Sequence, residues 1–163
     1  LPGAAAAVRR LNDAGIATAL VTNQAAIARG RTTVAEVDAV HTALAATLAT
    51  EGAHLEGVFV CPHHPETHHG EGIPALRGPC DCRKPSTGLV RAALTALGRP
   101  AWRTVLIGDR STDMQCAHNA GLPGIGLDTG AACGDGVCPA APTWRFRDLA
   151  AAAAWLAGAE DAD

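Results

Sequence analysis

The feature that most constrains the fold is the regular alternation of strand-like and helix-like segments along the 163 residues. Short apolar runs that end in polar residues are typical of buried strands, and longer segments bounded by Gly or Pro are typical of helices. This alternation predicts βαβ units, a parallel sheet and right-handed crossovers. We therefore expect one α/β domain over residues 1–163, a Rossmann-like three-layer α/β/α fold with helices on both faces.

The predicted helices lie between Pro2 and Gly15 and over 33–52, 87–98, 112–121 and 148–158. The predicted strands cover 16–23, 55–61, 104–109 and 124–130, the last being the final strand, and a helix or turn is expected just after 23. Residues 131–142 are expected to form a loop. Thr33 with Glu36 three residues later predicts a capping box.

Charge and hydropathy exclude some classes of partner. The net charge is −3 and the 13 Lys and Arg residues are scattered, which argues against a nucleic-acid or anionic-membrane surface. No apolar run reaches the roughly 18 residues that span a bilayer, and the first residues lack the basic leader of a signal peptide. We expect a cytoplasmic monomer with no nucleic-acid or membrane partner.

Residues 61–85, CPHHPETHHGEGIPALRGPCDCRKP, have no apolar periodicity and cannot fold around a core of their own. The segment opens with Cys61-x-His63 and ends near Cys80-x-Cys82, and each close pair can grip one metal ion. Three thiolates and one imidazole form a closed tetrahedral zinc site, which would be structural and would order the loop. A disulfide, or a set of unrelated surface residues, is the alternative.

The other histidines and cysteines have simpler interpretations. His64 is the alternative to His63 as a metal ligand. Otherwise three histidines are expected to be solvated: His64, His68 and His69. Cys116 is expected to be a small core residue on a helix. Cys133 and Cys138 are expected to be ordinary thiols in a loose loop, with pairing or metal binding as alternatives.

Polar residues collect where the predicted strands end. In a parallel sheet the binding crevice lies outside the carboxyl ends of the strands, and Thr22, Asn23, Cys61 and Asp109 all fall there. The hydroxyl of Thr22 and the backbone N–H groups after it can hold a phosphate oxygen. Thr-Asn is also ordinary turn chemistry, so this motif by itself is weak.

Two further groups suit a phosphate ester. Arg83 and Lys84 directly follow the last cysteine pair, on a loop that a metal would stiffen; a solvated basic pair is the alternative. Asp109 ends a strand, with Asp113 four residues later, and a strand-end carboxylate is a natural Mg²⁺ ligand. The alternative is that Asp109 caps the following helix.

Taken in order, Thr-Asn, Cys-x-His…Cys-x-Cys-Arg-Lys-Pro and Gly-Asp-x-x-x-Asp resemble the haloacid dehalogenase superfamily. Within it they resemble the zinc-loop phosphatases that act on heptose bisphosphate and histidinol phosphate. The resemblance covers nearly the whole chain, and CPHHP and CDCRKP are its most specific parts. The long loop between the cysteine pairs favours the heptose branch. A fold without a large cap domain is implied.

The resemblance implies Mg²⁺-dependent hydrolysis of a small sugar phosphate, D-glycero-D-manno-heptose 1,7-bisphosphate, in nucleotide-activated heptose synthesis. Histidinol-phosphate phosphatase is the alternative enzyme, and a non-catalytic, zinc-stabilised binding or interaction module is the alternative of another class. The implied phosphate and substrate contacts are Thr22, Asn23, Arg83, Lys84 and Arg110, where the heptose branch often has Lys at the last position. The implied metal ligands are Asp109 for Mg²⁺, supported by Asp113, and Cys61, His63, Cys80 and Cys82 for Zn²⁺.

The first motif of the family, a strand followed by Asp-x-Asp-Gly-Thr, has no counterpart in the sequence. In the family its first Asp attacks phosphorus and its second is the general acid and base. Its strand lies between those that here end at Asn23 and Asp109. Three candidates, Asp13, Asp135 and Asp161-x-Asp163, follow no strand. We therefore expect an N-terminally incomplete hydrolase domain, inactive by itself, with unpaired strand edges and an exposed apolar seam.

Overall fold

The computed structural model describes residues 2–65 and 72–159, and within these ranges six α-helices alternate with five strands. The helices are Ala4–Asp13 (α1), Ala25–Ala28 (α2), Val34–Thr50 (α3), Gly88–Leu97 (α4), Ser111–Ala120 (α5) and Leu149–Ala159 (α6). The strands are Ala19–Asn23 (β1), Gly57–Cys61 (β2), Leu106–Gly108 (β3), Gly124–Leu127 (β4) and Trp144–Phe146 (β5). Short 3₁₀ turns lie at Pro74–Leu76 and Ala101–Arg103.

The predicted strands and helices are all present, with ends that differ by a few residues. The predicted capping box is confirmed, because Glu36 N–H donates to Thr33 Oγ1 at 3.1 Å and Thr33 N–H donates to Glu36 Oε2 at 2.8 Å. One prediction was wrong: residues 124–130 do not form the final strand. β5 follows and pairs with β4. Three residues are too few to show a period-two pattern, so only pairing with β4 defines this strand.

All strand pairs are parallel, as the alternation predicts. β1 pairs with β2 from Ala19↔Gly57 to Asn23↔Cys61. β4 lies between β3 and β5 and pairs with both. Because the strands are parallel, their carboxyl ends lie at the same edge, and that edge carries the polar residues described below.

Helices cover both faces of the strands and give the predicted three-layer α/β/α fold. One cluster joins α4 and α5 to β3 and includes Val90, Leu106, Cys116, Ala117 and Leu122, with Val21 of β1 against it. A second joins α1 to α6 through Ala7, Leu11 and Ala153. Three of these buried residues, Ala7, Ala117 and Ala153, are alanines, whose small side chains let neighbouring elements approach closely. No helix within the described residues is long and apolar enough to cross a membrane.

The sheet is interrupted between β1 and β3. Among the described residues β1 pairs with β2 and β3 with β4, and no ladder joins the two parts. A groove of about 550 Å³ follows this gap, and its lining includes Ala19 and Val21 on one side and Val105 and Leu106 on the other. The groove corresponds to the predicted apolar seam, and each strand beside it presents an edge with no neighbouring strand.

Candidate active site

A hollow of about 800 Å³ lies at the carboxyl ends of β1 and β3. It contains every residue that the sequence analysis assigns to phosphate, substrate or Mg²⁺. Its polar lining includes Thr22, Asn23, Arg83, Lys84, Asp109, Arg110, Asp113 and Asp135. The fold therefore brings together three sequence motifs that are separated by tens of residues.

The four predicted zinc ligands form one cluster beside the hollow. The ligand atoms of Cys61, His63, Cys80 and Cys82 all lie within 4.8 Å of one another. The sulfurs of Cys61 and Cys82 are 3.0 Å apart, and His63 Nδ1 is 3.2 Å from the sulfur of Cys82. Zn–S bonds of about 2.3 Å place tetrahedral ligands roughly 3.7 Å apart, so the cluster needs little adjustment to close on a metal ion. All of these cysteines are free, so the disulfide alternative is not realised.

The thiols of this cluster influence one another. Burial raises the pKa of Cys82, and hydrogen bonds with Cys61 and Cys80 raise it further. Burial also works to raise the pKa of Cys80, but hydrogen bonding with the backbone of Arg83 and with the neighbouring thiols lowers it overall. A divalent cation would displace the protons from these sulfurs and bind the resulting thiolates, and its positive charge would offset the repulsion between them.

His64 is not one of the four clustered ligands, and the expectation that it is solvated was wrong. Its side chain is buried, and Nε2 lies 2.7 Å from Nη2 of Arg29 at the end of α2. Its backbone forms an isolated parallel bridge with Arg77. His64 therefore anchors the start of the zinc loop to α2, a contact that no local pattern in the sequence indicates. His68 and His69 lie outside the described residues.

The end of β1 is joined to the basic loop by a side-chain clamp. Asn23 Nδ2 donates to the carbonyl of Lys84 at 3.0 Å, and Lys84 N–H donates to Asn23 Oδ1 at 3.0 Å. Both polar ends of the Asn23 amide are thus engaged by main chain. Thr22 Oγ1 accepts a bond of 3.2 Å from Gln24 Nε2, which leaves its own O–H proton available to a ligand.

Lys84 is held in place at its ammonium group as well. Its Nζ donates to the carbonyl of Val21 at 2.8 Å and lies 2.7 Å from Asp113 Oδ1. The side chains of Lys84 and Asp113 are only 14% and 8% exposed, so this ion pair is shielded from water. The second oxygen of Asp113 accepts from Arg110 N–H at 3.1 Å. Asp113 therefore supports both the lysine and the start of α5.

Asp109, directly after β3, is wrapped by the turn that follows β4. Its Oδ2 accepts from Ala131 N–H at 2.8 Å, and its carbonyl accepts from Cys133 N–H at 2.5 Å. The structure shows no protein partner for Oδ1 among the described residues, and the side chain lines the hollow. Asp109 does not cap α5, because the N–H groups at that end go to Asp113 and Asp135. One carboxylate oxygen is thus free for a cation.

The two arginines occupy different parts of the hollow. Arg83 Nη1 donates to the carbonyl of His63 at 3.1 Å, which ties this guanidinium to the zinc loop. Arg110 also lines the hollow, and its side chain is 63% exposed.

Asp135 is a residue of the hollow that the sequence analysis missed. Its Oδ1 accepts from Ser111 N–H at 3.2 Å and from the Ser111 hydroxyl. These hydrogen bonds lower the pKa of Asp135, so the carboxylate is ionised. The expectation of a loose loop here was also wrong, because Cys138 N–H in turn donates to Ser111 Oγ at 3.0 Å. The loop follows the carboxyl end of β4, and that position was the available signal.

The remaining candidates do not line the hollow. Cys116 is fully buried, as predicted, and its thiol donates to the carbonyl of Ser86 at 3.3 Å. Asp13 is paired with Arg9 on α1. Asp161 and Asp163 lie outside the described residues.

Comparison with known proteins identifies the class to which this fold and site belong. A family model described as HAD-hydrolase-like matches residues 81–152. The D-glycero-D-manno-heptose-1,7-bisphosphate 7-phosphatase of Thermosynechococcus vestitus is 39% identical over 165 aligned positions, which cover 96% of this chain and 82% of that protein. The corresponding β-heptose enzyme of Rhodopseudomonas palustris is 37% identical over 125 positions, 77% of this chain and 67% of that protein.

A solved structure gives the same result. The D,D-heptose 1,7-bisphosphate phosphatase of B. bronchiseptica, complexed with magnesium and phosphate, superposes with a TM-score of 0.82 at 31% identity, over 98% of this chain and 84% of that one. This chain therefore belongs to the haloacid dehalogenase superfamily of hydrolases. Within that superfamily it belongs to the branch of the heptose-bisphosphate phosphatases.

Proposed function

We propose that this chain provides the phosphate-binding part of a Mg²⁺-dependent phosphatase that removes the 7-phosphate of D-glycero-D-manno-heptose 1,7-bisphosphate. The convergence of Thr22, Lys84 and Asp109 on one hollow carries the proposal. The substrate is inferred from the names of the relatives above. The use of magnesium is inferred from the B. bronchiseptica structure, which is complexed with magnesium and phosphate.

Each of these residues has a role that follows from its contacts. The Thr22 hydroxyl can donate to a phosphate oxygen, and the Lys84 ammonium, aimed by Val21 and Asp113, can neutralise the phosphoryl charge. Asp109 would hold Mg²⁺ through its free oxygen, and the cation would stabilise charge on the transferring phosphoryl group. Asn23 holds the Lys84 main chain through two hydrogen bonds, and the second N–H of its amide can donate to a phosphate oxygen.

The carboxylates of the hollow are poorly placed to attack phosphorus. Asp113 is paired with Lys84, Asp135 is bonded to Ser111, and the free oxygen of Asp109 is the one that would hold Mg²⁺. We propose that a further strand in the groove between β1 and β3 supplies the nucleophile. One of its carboxylates would bond to phosphorus while the P–O bond to the sugar breaks, and a second carboxyl group would protonate the departing alkoxide. Water would then release phosphate from the acyl phosphate. By itself the 163-residue chain would bind phosphate without turnover.

We further propose that Cys61, His63, Cys80 and Cys82 bind one structural zinc ion. Four protein ligands leave no open position for a reacting group. The ion would instead order the loop that carries Arg83 and Lys84. These two residues directly follow Cys82, the last ligand.

Phosphate release in the presence of Mg²⁺ tests the proposal. The substrates are the heptose bisphosphate and, for comparison, histidinol phosphate. We compare this chain with one extended at its N-terminus by a strand ending in Asp-x-Asp-Gly-Thr. The extended chain should release phosphate from the heptose substrate, and Asp109→Asn should abolish this. If the shorter chain shows turnover that depends on Asp109, the proposal that an added strand provides the nucleophile is contradicted. If the extended chain prefers histidinol phosphate, the proposed substrate is contradicted. The predicted cytoplasmic location and monomeric state remain predictions.

A further inference from the structure

The loop between β4 and β5 is built against the hollow rather than over open solvent. Arg145 Nη2 donates to the carbonyl of Ala132, and the turn holds Asp109 through Ala131 and Cys133. Two non-glycine residues of this turn, Ala132 and Cys133, have positive φ angles of 50° and 54°. A backbone held in this sparsely populated region indicates that the surrounding contacts fix the loop in one conformation. Asp135 and Val137 then form part of the wall of the hollow.

The two oxygens of Asp135 have different surroundings. Oδ1 takes both hydrogen bonds from Ser111, whereas Oδ2 is buried and has no hydrogen-bond partner. The nearest cation to Oδ2 is Arg110 Nη1, at 3.6 Å. The Asp135 side chain is 15% exposed and the Arg110 side chain 63% exposed, so a largely buried carboxylate faces a largely exposed guanidinium within the lining of the hollow.

We propose that Asp135 is a positioning residue that holds Arg110 where it binds the second, non-reacting anionic group of the substrate. This rests on the proposed function, because a sugar with two phosphates presents a second anionic group, which a second cation would stabilise. Lys84 is buried beside Asp113 at the floor and serves the reacting group. Arg83 is tied to the carbonyl of His63. Arg110, whose side chain is largely exposed, is therefore the cation best placed for the distal phosphate, and an arginine fork suits that ligand.

Charge repulsion alone and the proposal predict opposite effects of removing the Asp135 charge on bisphosphate binding, so a binding measurement distinguishes them. Asp135 is an anion in a site for anions, so removing its charge should strengthen binding if proximity alone decides. If Asp135 acts by restraining Arg110, removing its charge should weaken binding of a ligand that reaches Arg110. A ligand that occupies only the floor should be unaffected.

The experiment measures equilibrium binding by titration calorimetry on the full chain with Mg²⁺. The two ligands are D-glycero-D-manno-heptose 1,7-bisphosphate and inorganic phosphate, and KM replaces Kd if turnover occurs. The variants are Asp135→Asn, Arg110→Gln and their combination. Asp128→Asn is the matched control, because Asp128 is paired with Arg145 beside the same loop but does not line the hollow. Asp135→Ser replaces Asp135→Asn if the latter does not fold.

We expect Asp135→Asn to weaken bisphosphate binding about fivefold and Arg110→Gln about tenfold, the size of effect of one charged contact. The double variant should be no weaker than Arg110→Gln, and inorganic phosphate should bind equally to all. Unchanged or tighter bisphosphate binding in Asp135→Asn would overturn the proposal, as would equal losses for both ligands or losses that multiply in the double variant. An unaltered chain that binds inorganic phosphate but not the bisphosphate would overturn this proposal and the proposed substrate together.

Discussion

The side-chain amide of Asn23 holds the main chain of Lys84 from both sides, with two hydrogen bonds of 3.0 Å. This clamp joins the carboxyl end of β1 to a loop 61 residues further along the chain. The position of the Lys84 main chain at the hollow therefore depends on Asn23, whose second Nδ2–H bond is not used by the clamp.

Asn23→Ala should weaken phosphate binding as well as the fold. Losing two partly buried hydrogen bonds should lower the free energy of unfolding by about 2 kcal/mol, and Lys84 should lose its fixed position. Asn12→Ala is the matched control, because Asn12 also makes two hydrogen bonds, to Thr18 and His54, away from the hollow. Urea unfolding and phosphate titration are the measurements. Equal phosphate affinity in the two variants would show that the clamp is only structural.

Lys84→Met should be strongly destabilising, by about 3 kcal/mol, because it leaves the buried carboxylate of Asp113 without its partner. Adding Asp113→Asn should restore most of this stability without restoring phosphate binding. Arg91→Met is the control, since Arg91 and Asp81 form an exposed pair that should contribute less than about 1 kcal/mol. Urea unfolding of the four proteins tests this. A double variant no more stable than Lys84→Met would contradict the coupling.

The Cys80→Ser, Cys82→Ser double variant should lose a bound zinc ion, and the chain should otherwise contain about one. The double variant Cys133→Ser, Cys138→Ser should retain it, because these thiols are outside the four-residue cluster among the described residues. Metal analysis of protein purified without added zinc is the measurement. Loss of zinc should also weaken phosphate binding, because the Arg83–Lys84 loop would lose its anchor. Full occupancy after both cluster cysteines are replaced would rule out these ligands.

Cys116 should resist alkylation in the folded protein. Burial raises its pKa to about 11, so at pH 8 only about one thiol in a thousand is ionised, and only the thiolate reacts. Raising the pH towards 11 should increase its labelling about tenfold per pH unit, until unfolding makes all thiols equivalent. Peptide mapping after iodoacetamide treatment measures this. Labelling of Cys116 at pH 8 as fast as in urea would contradict its burial.

The groups within the hollow illustrate how far local sequence patterns reach. Thr22, Lys84 and Asp109 were predicted because each stands at a strand end or beside a metal loop, and those positions are visible in one dimension. The family resemblance implied that Asn23 contacts phosphate, but its hydrogen bonds to Lys84 were not predicted, because Thr-Asn after a strand is typical of both a turn and a phosphate contact. Only the folded structure, in which the Lys84 main chain lies beside Asn23, shows which groups the Asn23 side-chain amide binds.

The alternation of apolar segments determined the parallel α/β fold, and the Cys-x-His and Cys-x-Cys pairs determined where a metal can bind, because both signals are local in sequence. Tertiary structure alone decided that β5 exists, that His64 turns inward to Arg29, and that Asp135 bonds to Ser111 in the hollow. Each of these depends on a contact between residues at least 19 positions apart. Such contacts are fixed by how the elements pack, and no short stretch of sequence encodes them.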